Sequence, residues 1–306
     1  MSQAPSSVLL VRPSAFSPNA QTAADNAYQS TSDATAEEIA RRAFDEVGAL
    51  ADALKAEGVA VHLFDDQGVD RPDSVFPNNW ISMHAGGHVA LFPMYASSRR
   101  GERRADVVEM LKARYRVQDV IDYSGLEPDG VFLEGTGAMV LDHEARIAYV
   151  ARSHRADPVA LERFCTNFGY EPMVFDAVDE SGAPVYHTNV MMAVATDFAL
   201  IAFDMITDDR RRAEVSARLS ARREVIGLSS AQIAEFAGNV IELQGAAGRV
   251  LVMSARARAA LRADQVAAIE RSVRIVAVPV PTIELAGGSV RCMIAGIHLD
   301  PRPLVA

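Results

Sequence analysis

Only two cysteines occur in the 306 residues, Cys165 and Cys292. Cys292 stands in GGSVRCM, behind a pair of glycines that let a substrate or a neighbouring backbone come close. A thiolate can attack an electrophilic carbon, provided an imidazole moves the protons and a carboxylate orients the imidazole or the substrate. His187, in PVYHTN, and Glu134, in FLEGTG, are of those two types. Each residue alone has a plainer account. A free cysteine is usually a small buried apolar side chain, a histidine often sits satisfied in a core, and a carboxylate often belongs to a structural ion pair.

The elements around them decide between these accounts. Residues 80–92 pattern as two short strands about the turn 84–87, followed by a helical stretch at 99–115 and a strand at 117–121. The same order returns at 138–151, 157–168 and 172–175, again at 190–203, 208–220 and 224–227, and again at 239–253, 255–272 and 274–280. These strand–strand–helix–strand units recur at about fifty residues. A fifth is assembled from the two ends: 292–299, 7–11, a helix over 35–56 and a strand at 60–64. Thr35 and Glu38 have the capping-box spacing that starts this helix. Pairing the terminal strands closes a pseudo-symmetric ring without open edges. The expected fold is therefore α/β, a single domain over residues 1–306. Asp73, Asn78, Asn79, Glu134, His187 and Cys292 all fall in the segments that lead into units, so such a ring makes them converge. The lead-in to the fourth unit, EFAGN (235–239), offers no evident reactive group.

Composition bounds the remaining possibilities. The net charge of −10 argues against a nucleic-acid partner, and the arginine runs 210–212 and 222–223 read as solvated faces. No apolar run is long enough to span a membrane, and no signal peptide is read at the start. Two cysteines fit a reducing, cytoplasmic setting. CxxC and HExxH are absent, so neither a metal nor a cofactor is expected. His84 and His88 flank a turn and read as solvated hairpin residues, His143 lies in a polar turn, and Cys165 reads as core. The acidic surface is compatible with a monomer or a homodimer.

The motifs RPSAFSPN, PNNWISMH, LEGTG, YHTNV and GGSVRCM resemble the guanidino-group-modifying enzymes, the group of arginine deiminases, dimethylargininases and amidinotransferases. The likeness spans essentially the whole chain and is nearest to bacterial citrulline-utilisation hydrolases. It implies a five-bladed α/β propeller (pentein), Cys292 as nucleophile, His187 as general acid/base and Glu134 as the carboxylate holding substrate or His187. It puts Asp73 where an acid grips the guanidino nitrogens, and Arg99 and Arg155 where arginines hold the amino-acid end of the substrate. Asn19 and Asn26 fall in a stretch that contributes to the pocket in similar enzymes. Asn78 and Asn79 depart from the acidic pair common in the group. A guanidinium presents only N–H donors, whereas a neutral ureido group also presents a carbonyl oxygen, and an asparagine amide can both donate and accept. The expected activity is hydrolysis of C–N bonds in an arginine-derived compound, with citrulline to ornithine preferred. Arginine deiminase or dihydrolase chemistry, a dimethylargininase-like hydrolase and amidino transfer are the alternatives within the group. A binding module of similar shape is the alternative outside it.

Overall fold

The computed structural model describes residues 2–303. Among them, the strands form one six-stranded sheet and three three-stranded sheets. Every expected unit is present. Ile81–His84, Val140–Asp142, Met192–Val194, Ile241–Gly245 and Ala295–Ile297 are the first, inner strands. Each lies against an antiparallel second strand: His88–Leu91, Ile147–Ala151, Phe198–Ile201, Gly248–Ser254 and Ser7–Pro13 respectively. A helical crossover then returns the chain to a third strand parallel to the second. The alternation follows from geometry: a tight turn joins antiparallel neighbours, whereas parallel ones need a crossover.

The terminal strands pair as expected, Ser7 opposite Ile297 and Leu9 opposite Ala295. A single parallel pairing, Ile297 with Met83, joins this unit to the next in the six-stranded sheet. The other three sheets stay separate, so no continuous hydrogen-bonded ladder closes the expected ring. Isolated backbone bonds, such as Gln244 N to Pro5 O at 3.0 Å, and side chains bridge the units instead. The Gln3 amide donates to Leu141 O and Val194 O, both at 3.0 Å. Arg223, expected on a solvated face, forms a buried ion pair with Asp142.

The helix Ala36–Ala56 begins at the expected cap. Thr35 Oγ1 accepts from Glu38 N, and Glu38 returns a bond to Thr35 N. Val47, Leu50 and Leu54 bury its inner face. Its Glu46 carboxylate accepts from the backbone N–H groups of Thr282 and Ile283, tying the helix to the segment before Cys292. The second helix starts later than patterned, at Ala105–Arg114, because Ser97–Glu102 winds into a 3₁₀ turn around the buried Arg99. His84 also departs from expectation. It ends an inner strand and is buried, while His88 stays partly exposed beside Asp119, 2.9 Å away. Cys165 is buried in its helix, as expected.

Thr35→Ala should remove the reciprocal cap and lower unfolding free energy by about 1 kcal/mol, read from denaturant midpoints at unchanged slope.

Candidate active site

The chain arrives at each inner strand through a short turn, and these turns carry the polar residues inward. Cys292 lies in the single helical turn Val290–Met293. Its Sγ accepts from Asn189 Nδ2 at 3.3 Å and from Asn239 Nδ2 at 3.2 Å. Asn239 Oδ1 accepts from the backbone N–H of Ser289 at 3.2 Å and of Arg291 at 3.1 Å. One asparagine thus fixes both the sulfur and the backbone that carries it. The fourth unit, in which no reactive group was expected, supplies this residue. The recurring Asn-Val of HTNV and AGNV was the available signal, since it places Asn189 and Asn239 at matching points of the repeat.

His187 and Glu134 meet directly, Nε2 to Oε2 at 2.8 Å, and both are buried. Two guanidiniums flank the same oxygen, Arg155 Nη1 at 3.4 Å and Arg99 Nη1 at 3.6 Å. Burial pushes the Glu134 carboxyl upward, but Arg155, the His187 hydrogen bond and Arg99 outweigh it and hold the acid below the usual carboxylate range. Burial pulls His187 down despite the Glu134 hydrogen bond. The pair is therefore a carboxylate beside a neutral imidazole at neutral pH.

Asp73 is also buried. Its Oδ2 accepts from Asn19 Nδ2 at 2.9 Å and lies 3.6 Å from Arg99 Nε. Burial raises its pKa, opposed by Arg99. Arg99 is held further by Glu102, at 3.0 and 2.9 Å. Burial pushes Glu102 up to about 7. Arg155 makes a forked pair with Asp25, at 3.1 and 2.5 Å, and lies over the Tyr186 ring. Asp25 carried no expectation, although its neighbours Asn19 and Asn26 did.

Asp73, Asn79, Arg99, Arg155, His187 and Cys292 line one cavity of about 20 Å³, and Asn26 borders it too. Glu134 stands behind His187. Asn78 separates from its neighbour: it is buried outside the cavity lining, and its side-chain amide has no partner among the described residues. Asn79 Oδ1 accepts from Arg99 Nη1 at 2.9 Å, which leaves its buried Nδ2 without an acceptor. Gly137 makes this packing possible. A Cβ there would fall 2.2 Å from Asn79 Nδ2 and 2.8 Å from His187 Nδ1. Among the described residues, no group of His, Cys, Asp and Glu is placed to hold a metal ion.

The sequence model of the eukaryotic N,N-dimethylarginine dimethylhydrolase family matches residues 12–299. The chain belongs to this family. With it, the chain falls within the guanidino-group-modifying superfamily that its motifs resemble. Three solved structures share its fold. ArgZ, an arginine dihydrolase from cyanobacteria, is 16% identical with a TM-score of 0.73, and the match covers 97% of this chain and 41% of ArgZ. AgrE is 18% identical with a TM-score of 0.75, over 98% of this chain and 40% of AgrE. A dimethylarginine dimethylaminohydrolase is 15% identical with a TM-score of 0.65, over 94% of this chain and 98% of that one. The chain thus spans about two fifths of the length of ArgZ and AgrE. The N-terminal domain of ArgZ, with an asparagine replaced by serine, has been solved covalently bound to a reaction intermediate. No curated protein matches the chain in sequence.

Two outcomes follow from this geometry. Gly137→Ala should displace His187 and Asn79 and lower turnover about 100-fold, with the fold retained by circular dichroism. His84, His143 and His187 are all buried with pKa values lowered by burial. The unfolded chain therefore takes up protons that the folded chain refuses once pH drops below the ordinary histidine value. These histidines should each cost roughly 1.4 kcal/mol of stability per pH unit below about pH 6.5, opposed over the same window by Glu102, whose raised pKa favours the folded chain in acid, so denaturant titrations at pH 7, 6 and 5 should show a net loss toward acid.

Proposed function

We propose that the chain, a single domain built as a five-bladed propeller, is a cysteine hydrolase of the terminal C–N bonds of an arginine-derived amino acid. Its preferred reaction is citrulline to ornithine. The observation that carries this reading is Asn79. Its oxygen is taken by Arg99, so the group left to meet a substrate is its NH₂ donor. A donor suits the carbonyl oxygen of a ureido group and has nothing to accept from a guanidinium. Asp73 Oδ2 is taken by Asn19 and Arg99, and Oδ1, with no side-chain bond among the described residues, accepts a ureido N–H.

Cys292 gives its thiol proton to His187 and attacks the ureido carbon as the resulting thiolate. His187 delivers a proton to the departing nitrogen, and a covalent thioester-like adduct remains on sulfur. His187, now neutral again, takes a proton from water as the water attacks the adduct, and the thiolate leaves. Glu134 orients the imidazole and stabilises it when protonated, as a buried carboxylate does for a catalytic histidine. Arg155 holds the substrate carboxylate, which takes the place of Asp25. Arg99, enclosed by Glu102, Asp73 and Asn79, sets the position of Asn79 and Asp73. This departs from the role that the family likeness implies for Arg99.

A second reading has its own observation. Four carboxylates, of Asp25, Asp73, Glu102 and Glu134, surround two arginines. This acid excess favours a guanidinium as well, so arginine taken through two successive hydrolyses is the alternative.

Purified protein incubated separately with L-citrulline and L-arginine, with ammonia, citrulline and ornithine followed by mass spectrometry, tests both. Ornithine from citrulline is the expected product, and Cys292→Ser should reduce it about 10⁴-fold or more. Citrulline accumulating from arginine would overturn the reading of Asn79. Ornithine formed from both substrates would establish the two-step alternative.

A further inference from the structure

The inner strands begin at the candidate active site and run to a second chamber. Segments 81–84, 140–143, 192–194, 240–242 and 295–298 supply most of the lining of this space of about 60 Å³. Arg291, adjacent in sequence to Cys292, borders this chamber rather than the catalytic cavity. Its guanidinium donates to Ile294 O at 2.9 Å, and among the described residues no carboxylate pairs with it. Glu242, the one acid in the lining, is engaged elsewhere, accepting from Thr196 N at 2.8 Å and Arg249 Nη1 at 3.0 Å. Arg291 is partly buried and presents its guanidinium at the wall of the chamber. Burial lowers Arg291 only to about 10, so it remains charged at neutral pH.

Three histidines share the lining of the chamber with Arg291. His84 Nδ1 is buried without a partner, while its Nε2 meets Ser82 Oγ at 2.7 Å. His143 Nδ1 meets the Tyr170 hydroxyl at 2.8 Å, and its ring lies 3.9 Å from that of His298. Burial keeps all three imidazoles neutral near pH 7. The chamber therefore offers one fixed positive charge, polar imidazole edges and no free carboxylate. Its volume holds a few water molecules, or one ion of three or four heavy atoms.

We propose that this chamber binds a small monovalent oxyanion, of the size of nitrate or bicarbonate, against the guanidinium of Arg291 and the Nδ1 edge of His84. One negative charge matches one guanidinium, and a planar oxyanion takes two parallel N–H bonds from its fork.

The test is the unfolding midpoint of the full chain titrated with sodium nitrate or sodium bicarbonate, at ionic strength held constant with the bulkier sodium methanesulfonate. A ligand that binds only the folded chain raises the midpoint in a saturable way. The rise should occur in the unaltered protein and in Arg155→Met, which removes a cation from the catalytic cavity. It should be absent in Arg291→Met. If Arg291→Met does not fold, His84→Phe, which keeps an aromatic ring against Phe164 and Phe168, should weaken apparent binding by about tenfold. No saturable rise in the unaltered protein, an equal rise in Arg291→Met, undiminished binding in His84→Phe, or loss of the rise in Arg155→Met would each overturn the proposal.

Discussion

The structure is organised around a carboxylate that has been taken out of water. Glu134 is fully buried, and such a charge is tolerated only with partners in place. His187, Arg155 and Arg99 provide them, and each comes from a different part of the chain. Arg155 then requires Asp25, and Arg99 requires Glu102 and Asp73. The network extends outward until its last members, Asp25 and Asn19, reach the segment after the first strand. Removing one member would leave another charge unpaired, so the positions of the imidazole and the acids are set together.

Cysteine is held by a different device. Asn239 takes two backbone N–H groups of the Cys292 turn on one side of its amide and offers its NH₂ to the sulfur on the other. Asn189 adds a second donor to the same sulfur. Glu46 anchors the preceding segment from the long helix. Cys292 is thus located by neutral hydrogen bonds, and the His187–Glu134 pair by charge. The two meet across a cavity with little free space, which Gly137 keeps from being filled.

Much of this was legible in sequence. Strand and helix order, the pairing of the terminal strands and the convergence of Asp73, Asn79, His187 and Cys292 follow from patterns repeated along the chain, the cap at Thr35 from its local spacing, and Arg99 and Arg155 at the cavity from the family likeness. What escaped depends on contacts between units, which no local pattern encodes. Asn239 looked unreactive because an asparagine has no chemistry of its own, and its role arises only beside Cys292. Asn78 and Asn79 are neighbours in sequence, yet one turn sends Asn79 to the cavity and Asn78 away from it. Arg223 and His84 read as solvated because their immediate neighbours are polar or turn-forming, while their burial is imposed by sheets distant in sequence. Closure of the ring was expected through strand pairing, but the three smaller sheets meet other units through side chains and isolated backbone hydrogen bonds.

The most direct test of the account is whether the substrate carbon becomes bonded to Cys292. Protein mixed with citrulline, quenched in acid within the first turnover and digested for mass spectrometry, should carry one substrate-derived adduct, on the peptide containing Cys292 and not on that containing Cys165. The adduct should persist longer in Gly137→Ala, where the added Cβ displaces His187, the base we propose. Turnover proceeding at full rate in Cys292→Ser, with no adduct on this peptide in the unaltered protein, would contradict the account.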